Sequence, residues 1–149
     1  MISLDTLIVT LQRHVAAELP DDIPLVLPGV ILDAESTAEW IEFSCEEVSG
    51  VAQRDTPAER RELTVTLQVF VRASNHTTRI QVLAETARGV VSGRLIEIVD
   101  RTDSAEPVIG AIRFREADMR DLTRVHAAHQ RRALRHVVVT ARGVVQAFV

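Results

Sequence analysis

The sequence predicts an α+β protein in which a mostly antiparallel β-sheet carries two helices on one face. Two stretches have the spacing of amphipathic helices, several others alternate with a period of two, and the elements follow the order α-β-β-β-α-β-β-β. Two helices cannot cover both faces of a five- or six-stranded sheet, so we expect both on the same face. The 149 residues suffice for a single domain, residues 1–149.

The first helix is predicted over residues 4–19. Its apolar residues fall on one stripe at helical spacing: Leu4, Leu7, Ile8, Leu11, Val15 and Leu19. Ser3 suits the N-cap, and Asp5 lies where the helix dipole favours an acid. Pro20 ends the helix.

The clearest strands are residues 40–48 and 62–72, in which apolar and polar residues alternate. One face of this sheet is therefore buried. The other face keeps a partly wet polar set: Glu42, Ser44, Thr64, Thr66 and Gln68. The apolar run 25–32 precedes them, and Pro28 restricts it to an edge strand or a bent one. The long polar loop 49–61 between the two strands is predicted to project from the sheet, and loops of this length are often functional.

A second helix is predicted to open at Asn75–Thr77 and to end near Gly93. Its buried stripe comprises Ile80, Leu83, Ala84, Ala87, Val90 and Val91. Three further strands are predicted, at Leu95–Val99, Val108–Arg115 and Leu134–Val145. The charged stretch Glu116–Arg132 is either a short helix, through Met119, Leu122, Val125 and His129, or an extended arm.

Composition excludes several classes of protein. Apolar residues make up 46% of the chain and charged residues 26%, the balance of a soluble globular domain. A single cysteine excludes a disulfide scaffold and favours a reducing compartment such as the cytoplasm. No apolar run is long enough for a membrane span, and no secretory leader is recognisable. The formal charge of −4 argues against a basic nucleic-acid binder.

The sequence carries no recognised catalytic or cofactor motif: no phosphate-binding glycine loop, no GxSxG and no HExxH. Cys45 alternates with the inward-facing Ile41 and Phe43, so we expect a buried, inert thiol. Trp40 is expected to anchor the core. Glu46 and Glu47 are adjacent on a strand and point to opposite faces, so they make a poor acid–base pair.

Histidines supply the only candidate metal ligands. His126 and His129 are spaced i, i+3, but zinc would need a third ligand such as His136 or His14, and no cysteine pair supports it. We therefore expect no metal and no cofactor.

Three segments carry a family resemblance: Trp40-Ile41-Glu42-Phe43, the strand Arg-Arg-Glu-Leu-Thr-Val-Thr-Leu-Gln-Val-Phe-Val-Arg at 60–72, and the helix opening Arg79-Ile80-Gln81-Val82-Leu83-Ala84. In order and patterning, nearly the whole chain resembles the tail terminator (tail completion) proteins of long-tailed bacteriophages. The resemblance implies a structural virion protein without enzyme activity, located in the tail–neck region of the virion and in the host cytoplasm before assembly.

The resemblance further implies a homo-oligomeric ring, a hexamer, that caps the tail tube and ends its polymerisation. The ring would present the surface that joins tail to head. Its partners would be further copies of itself, the tail tube protein and a head-completion or connector protein, with no membrane and no specific nucleic-acid binding.

Charge is unevenly distributed along the chain. Residues 1–60 hold three arginines against twelve acidic residues, whereas residues 61–149 hold fourteen arginines against nine. A ring uses heterologous contacts, for which an acidic flank and a basic flank are complementary. The arginines predicted to lie at subunit or partner interfaces are Arg54, Arg60, Arg61, Arg113, Arg115, Arg120, Arg124, Arg131 and Arg132.

Other functions remain open. The protein could be another neck, head-completion or tail-tube component of the virion. It could be a small nucleic-acid-binding module that uses the Arg120–Arg135 arm, although that arm contains no Phe, Trp or Tyr that could stack on bases. It could also be a small enzyme whose site carries no recognisable motif.

Overall fold

The computed structural model describes residues 2–48, 61–72, 78–123 and 134–148. These residues form two helices and seven strands, which confirms the predicted α+β class. The elements, in chain order, are α1 (Leu4–Glu18), β1 (Leu25–Val26), β2 (Glu39–Val48), β3 (Arg61–Arg72), α2 (Arg79–Val91), β4 (Leu95–Val99), β5 (Val108–Phe114), β6 (Asp118–Asp121) and β7 (Leu134–Ala147).

The strands form one curled, mixed sheet in the order β1-β2-β3-β7-β5-β4, with β6 also paired to β7. β1 runs parallel to β2, and the other described pairs are antiparallel. Of the run 25–32, only the first two residues form a strand. Pro28 and Gly29, whose φ is +83°, turn the chain away, and the Val30 N–H donates to the Leu27 carbonyl at 3.0 Å.

β7 is the central strand of the sheet. It pairs with β3 along twelve positions, from Leu134 opposite Arg72 to Val145 opposite Arg61. Its other edge is shared, because β6 pairs with residues 137–140 and β5 with residues 143–147. Two separate segments therefore complete one side of a single strand.

The charged stretch 116–132 departs from one of its two predictions. Asp118–Asp121 forms strand β6, with Met119 opposite Val139, so the short-helix alternative is wrong for these residues. Pairing with β7 overrides the weak helical pattern there. The rest of the predicted arm, 124–132, lies outside the described residues.

Both helices begin and end close to the predicted positions. The Ser3 hydroxyl caps α1 by accepting from the Thr6 N–H at 3.1 Å, as predicted. α2 begins at Arg79 after Thr78, and Thr78 makes no side-chain capping bond. The predicted caps at 75–77 lie outside the described residues. Gly93 follows the last turn of α2 with a φ of +65°, a conformation that favours glycine.

One apolar core joins the helices to alternate residues of the sheet. Leu7, Leu11 and Val15 of α1 are fully buried in it. The core also takes the predicted stripe of α2, and every odd-numbered residue of β3 from Leu63 to Val71 is at most 3% exposed. Burial of this kind is the main stabilising contribution to folding.

The start of α2 is tied to the sheet by a two-point ion pair. Arg79 Nε and Nη2 donate to the two carboxylate oxygens of Glu39 on β2, at 2.8 and 2.5 Å. The hydrogen bond from Arg79 holds the pKa of Glu39 below its ordinary value of 4.5, against a smaller opposing effect of burial. A planar guanidinium suits such a fork.

Glu39→Gln is expected to lower the free energy of unfolding at neutral pH by about 0.5–1 kcal/mol, because the pair is partly exposed to solvent. The lowered pKa means that the Glu39 contribution is complete above pH 4.5 and disappears as the pH falls through the lowered value. Urea unfolding at pH 7 and pH 3 measures this: the difference from wild type should shrink at pH 3. Glu46→Gln, an exposed change on the same strand, is the control, and an equal pH-dependent loss in it would contradict the assignment.

Candidate interaction surface

The odd-numbered residues of β3 are buried, and the opposite face of the sheet is polar where β2, β3 and β7 run side by side. We call this set the polar face: Glu42, Ser44 and Glu46 on β2, Thr64, Thr66 and Gln68 on β3, and Thr140 and Arg142 on β7. Register places Glu46, Thr64 and Arg142 in one row across the strands, and Ser44, Thr66 and Thr140 in the next. All eight side chains are exposed or half-buried, which matches the partly wet face predicted from alternation.

Charge on this face changes sign across the sheet. Glu42 and Glu46 lie on β2, toward one edge. Arg142 lies on β7, and strand alternation places Arg120 of β6 and Arg113 of β5 on the same face farther across. One acidic residue interrupts the basic side, since Asp118 stands opposite Thr140.

Several arginines of the second half of the chain form ion pairs with acidic residues of the same chain. Arg61 Nε donates to Glu47 Oε1 at 2.7 Å, and its Nη1 donates to the Ile2 carbonyl. The hydrogen bond from Arg61 Nε to the Glu47 carboxylate lowers the pKa of Glu47. Together with the Arg79–Glu39 pair, this contact joins the basic half to the acidic half internally, so the charge segregation seen along the chain is partly neutralised in three dimensions.

Three of the predicted interface arginines are exposed: Arg113, Arg115 and Arg120. They make no ion pair with any residue that the structure describes. Arg61 is largely occupied by the contacts just given, with 18% of its side chain exposed. The other predicted positions lie outside the described residues: Arg54, Arg60, Arg124, Arg131 and Arg132. Most of the predicted projecting loop, residues 49–60, also lies outside them.

An aromatic row lies on the same side of the sheet as the polar face. Trp40 stacks on Phe70 with ring centroids 4.9 Å apart, and Phe70 stacks on His136 at 4.2 Å. Trp40 is buried, as predicted, but it belongs to this row rather than to the main core. The Arg72 guanidinium lies 5.8 Å from the centre of the Trp40 ring. Sequence reasoning missed the row because the register that aligns its members is not readable from one strand alone.

Cys45 is half-buried against the core. Burial, followed by the nearby charges of Glu46 and Glu47, raises the pKa of its thiol to about 11. The side chain is therefore protonated at neutral pH and is a poor nucleophile.

The described histidines bind protein groups. His14 Nε2 lies 2.8 Å from the Val90 carbonyl, and His136 Nε2 lies 3.0 Å from Gln68 Oε1. His126 and His129 lie outside the described residues. Within the described ranges, no three His, Cys, Asp or Glu side chains cluster as a metal site requires.

A groove of about 720 Å³ lies along the junction of α1 and β4. Its walls carry Thr10, Arg13, His14 and Ala17 from α1, and Leu95, Ile96, Glu97, Val99 and Arg101 from β4 and the turn after it. Sequence reasoning did not find this groove, because its two walls are about 80 residues apart in the chain. The one available signal was the amphipathic strand Leu95–Val99, which exposes an apolar side chain: Leu95 is 61% exposed.

Comparison with known proteins gives the fold and no function. No family model and no curated protein matches the chain. A solved structure matches 100% of this chain and 99% of its own, with a TM-score of 0.66 and 11% identity. At so low an identity the similarity shows the fold alone. Among the described helices, neither has the length and apolarity needed to cross a membrane.

Proposed function

We propose that the protein is a structural component of a bacteriophage virion that caps the tail tube as a homo-oligomeric ring. In this proposal the ring is a hexamer. It ends tube polymerisation and forms the surface that meets the head. Its partners are further copies of itself, the tail tube protein and a head-completion or connector protein. In this proposal the protein is not an enzyme and needs no cofactor, and it resides in the host cytoplasm until it joins the tail–neck region.

The observation that carries the proposal is the polar face with its opposed charges. Both described helices pack against the apolar side of a mostly antiparallel sheet, so neither covers the polar face, which is available to meet other proteins. Glu42 and Glu46 stand toward one edge, and Arg113, Arg120 and Arg142 toward the other. A cyclic assembly brings one flank of each subunit against the other flank of the next, so these charges are complementary between neighbours.

Each such exposed pair contributes little, about 0–1 kcal/mol. Repetition around a ring multiplies the effect, and complementary charge also fixes the orientation of neighbouring subunits. Arginine suits this role because its planar fork binds a carboxylate through two parallel hydrogen bonds.

A charge-swap experiment tests the proposal. The variant Arg113→Glu/Arg120→Glu and the variant Glu42→Arg/Glu46→Arg should each fail to form rings on their own, because like charges then face each other. An equimolar mixture should assemble again as alternating rings, since each reversed flank meets a complementary one. Light scattering and electron microscopy, with tail tube protein present, measure ring formation and tube length at low and high salt.

Two results would contradict the proposal. Wild-type protein that leaves tube growth unrestricted would rule out a terminator. Ring assembly that ignores both salt and charge reversal would rule out the charged flanks as the contact. Salt-dependent binding to DNA in place of assembly would favour a nucleic-acid-binding module.

A further inference from the structure

A loop beside the β1 edge of the sheet exposes two large apolar side chains. Val30 is 55% exposed and Ile31 is 97% exposed, in a short segment between two turns that is neither helix nor strand. We call residues 27–38 the Ile31 loop. Removing an isoleucine side chain from water is favourable, so a partner that covers Ile31 would gain hydrophobic stabilisation.

The Ile31 loop is fixed at both ends. Its first turn is closed by the bond from Val30 N–H to the Leu27 carbonyl. At its far end, Arg72 Nε donates to the Thr37 carbonyl at 3.0 Å and Arg72 Nη2 donates to the Ala34 carbonyl. The loop therefore presents Ile31 in a preset position, which lowers the entropy cost of any contact that Ile31 makes.

The groove between α1 and β4, the α1–β4 groove, lies at the opposite edge of the sheet. In the β4–β5 ladder, the Phe114 N–H donates to the Arg94 carbonyl, so Arg94 and Phe114 form a hydrogen-bonded pair. Along an antiparallel strand, every second residue directs its backbone groups toward the partner strand, and the residues between them direct theirs away. It follows that the backbone N–H and C=O groups of Leu95 and Glu97 point away from β5. No partner for them is found among the residues that the structure describes. An open strand edge beside a helix is the geometry that accepts an added extended segment.

Charge favours an acidic segment in this groove. Arg13 makes no ion pair within the described ranges, and Arg101 has only Glu106, at 3.7 Å. The single acid on the groove walls is Glu97. The Ile31 loop carries two exposed acids, Asp33 and Glu35, directly after Ile31 and Leu32.

We infer that the Ile31 loop of one copy docks in the α1–β4 groove of a second copy. Val30–Leu32 pairs with the free edge of β4, the Ile31 side chain fills the groove beside Ala17, and Asp33 or Glu35 meets Arg13. Because the loop and the groove lie at opposite edges of one sheet, the contact is head-to-tail and extends from copy to copy. The inference rests on the proposed ring and specifies how its neighbours join.

Mixed cross-linking tests the contact. In a Cys45→Ala background, protein with Ile31→Cys is mixed with protein carrying Ala17→Cys, and a short bismaleimide is added. Heterodimers are expected from the mixture, and neither variant alone should cross-link to itself. The control replaces Ala17→Cys by Val82→Cys, on the exposed side of α2. Equal cross-linking to positions 17 and 82 would overturn the inference.

A charge substitution gives an independent readout. Ile31→Asp should weaken self-association by about tenfold or more, as expected for the loss of one buried isoleucine. Val82→Asp places the same charge on another exposed apolar position and should leave self-association unchanged. Rings of normal size with no 31–17 cross-link would overturn the docking contact while the terminator proposal stands. A specific 31–17 cross-link in protein that does not cap tail tubes would support the contact and refute the terminator function.

Discussion

Gly143→Val is expected to destabilise the protein by about 3 kcal/mol or more, enough to prevent folding in a marginally stable domain. Gly143 lies on β7, opposite Phe114 on β5. A Cβ atom there would lie 2.7 Å from Phe114 Cε1 and 2.8 Å from Ile112 Cγ2, both inside the core. Valine adds two further methyl groups beyond that atom, so the neighbouring ring and strand must move. Denaturant unfolding followed by circular dichroism measures the loss.

Gly89→Ala provides the matched control. Nothing lies within 4 Å of a Cβ atom at Gly89, which is in the interior of α2. Alanine there should stabilise the protein by about 0.4–1 kcal/mol, because glycine costs more conformational entropy in a helix. Wild-type stability in Gly143→Val, or a comparable loss in Gly89→Ala, would show that the packing around β7 is not as described.

Phe70→Ala is expected to cost about 3–5 kcal/mol. Phe70 stands between Trp40 and His136, so its removal loses both stacking contacts and leaves a cavity. Trp40 is the only tryptophan of the chain, and its fluorescence therefore reports directly on this row. We expect a red-shifted emission together with a lower midpoint of urea unfolding.

Phe148→Ala is the companion variant, because Phe148 is 54% exposed. Its effect should stay within about 0.5 kcal/mol, and the tryptophan emission should not change. If the two phenylalanine variants were equally stable, or if Phe70→Ala kept the wild-type emission, the aromatic row would not contribute as proposed.

Local pattern was enough to predict most of the regular elements. Alternation identified β2 and β3 to within one residue, and the apolar stripe of α2 was predicted completely. β6 was not predicted as a strand: the two alternatives for its stretch were a short helix and an extended arm, because its four exposed residues carry no alternation of their own. It is a strand because β7 offers an unpaired edge there, which is a property of the assembled sheet.

The candidate surface was less predictable. The polar residues of β2 and β3 could be assigned to one face, since alternation determines which side chains share it. The ion pairs that arginines form within the chain could not be predicted. Arg61 meets Glu47 only because β2 and β3 pair in one particular register. The groove and the Ile31 loop depend on where distant segments pack, and no local pattern records that.

The position of β7 has a consequence for synthesis. It follows the other six strands in the chain, yet it holds together β3 on one side and β5 and β6 on the other. While the chain is emerging from the ribosome, β2–β3 and β4–β5 can form only as separate hairpins with open edges. Contacts between β3 and β7 span more than sixty residues, so they impose a high contact order and slow folding. The nascent chain therefore exposes unpaired strand edges until β7 emerges, and edges exposed in this way favour aggregation.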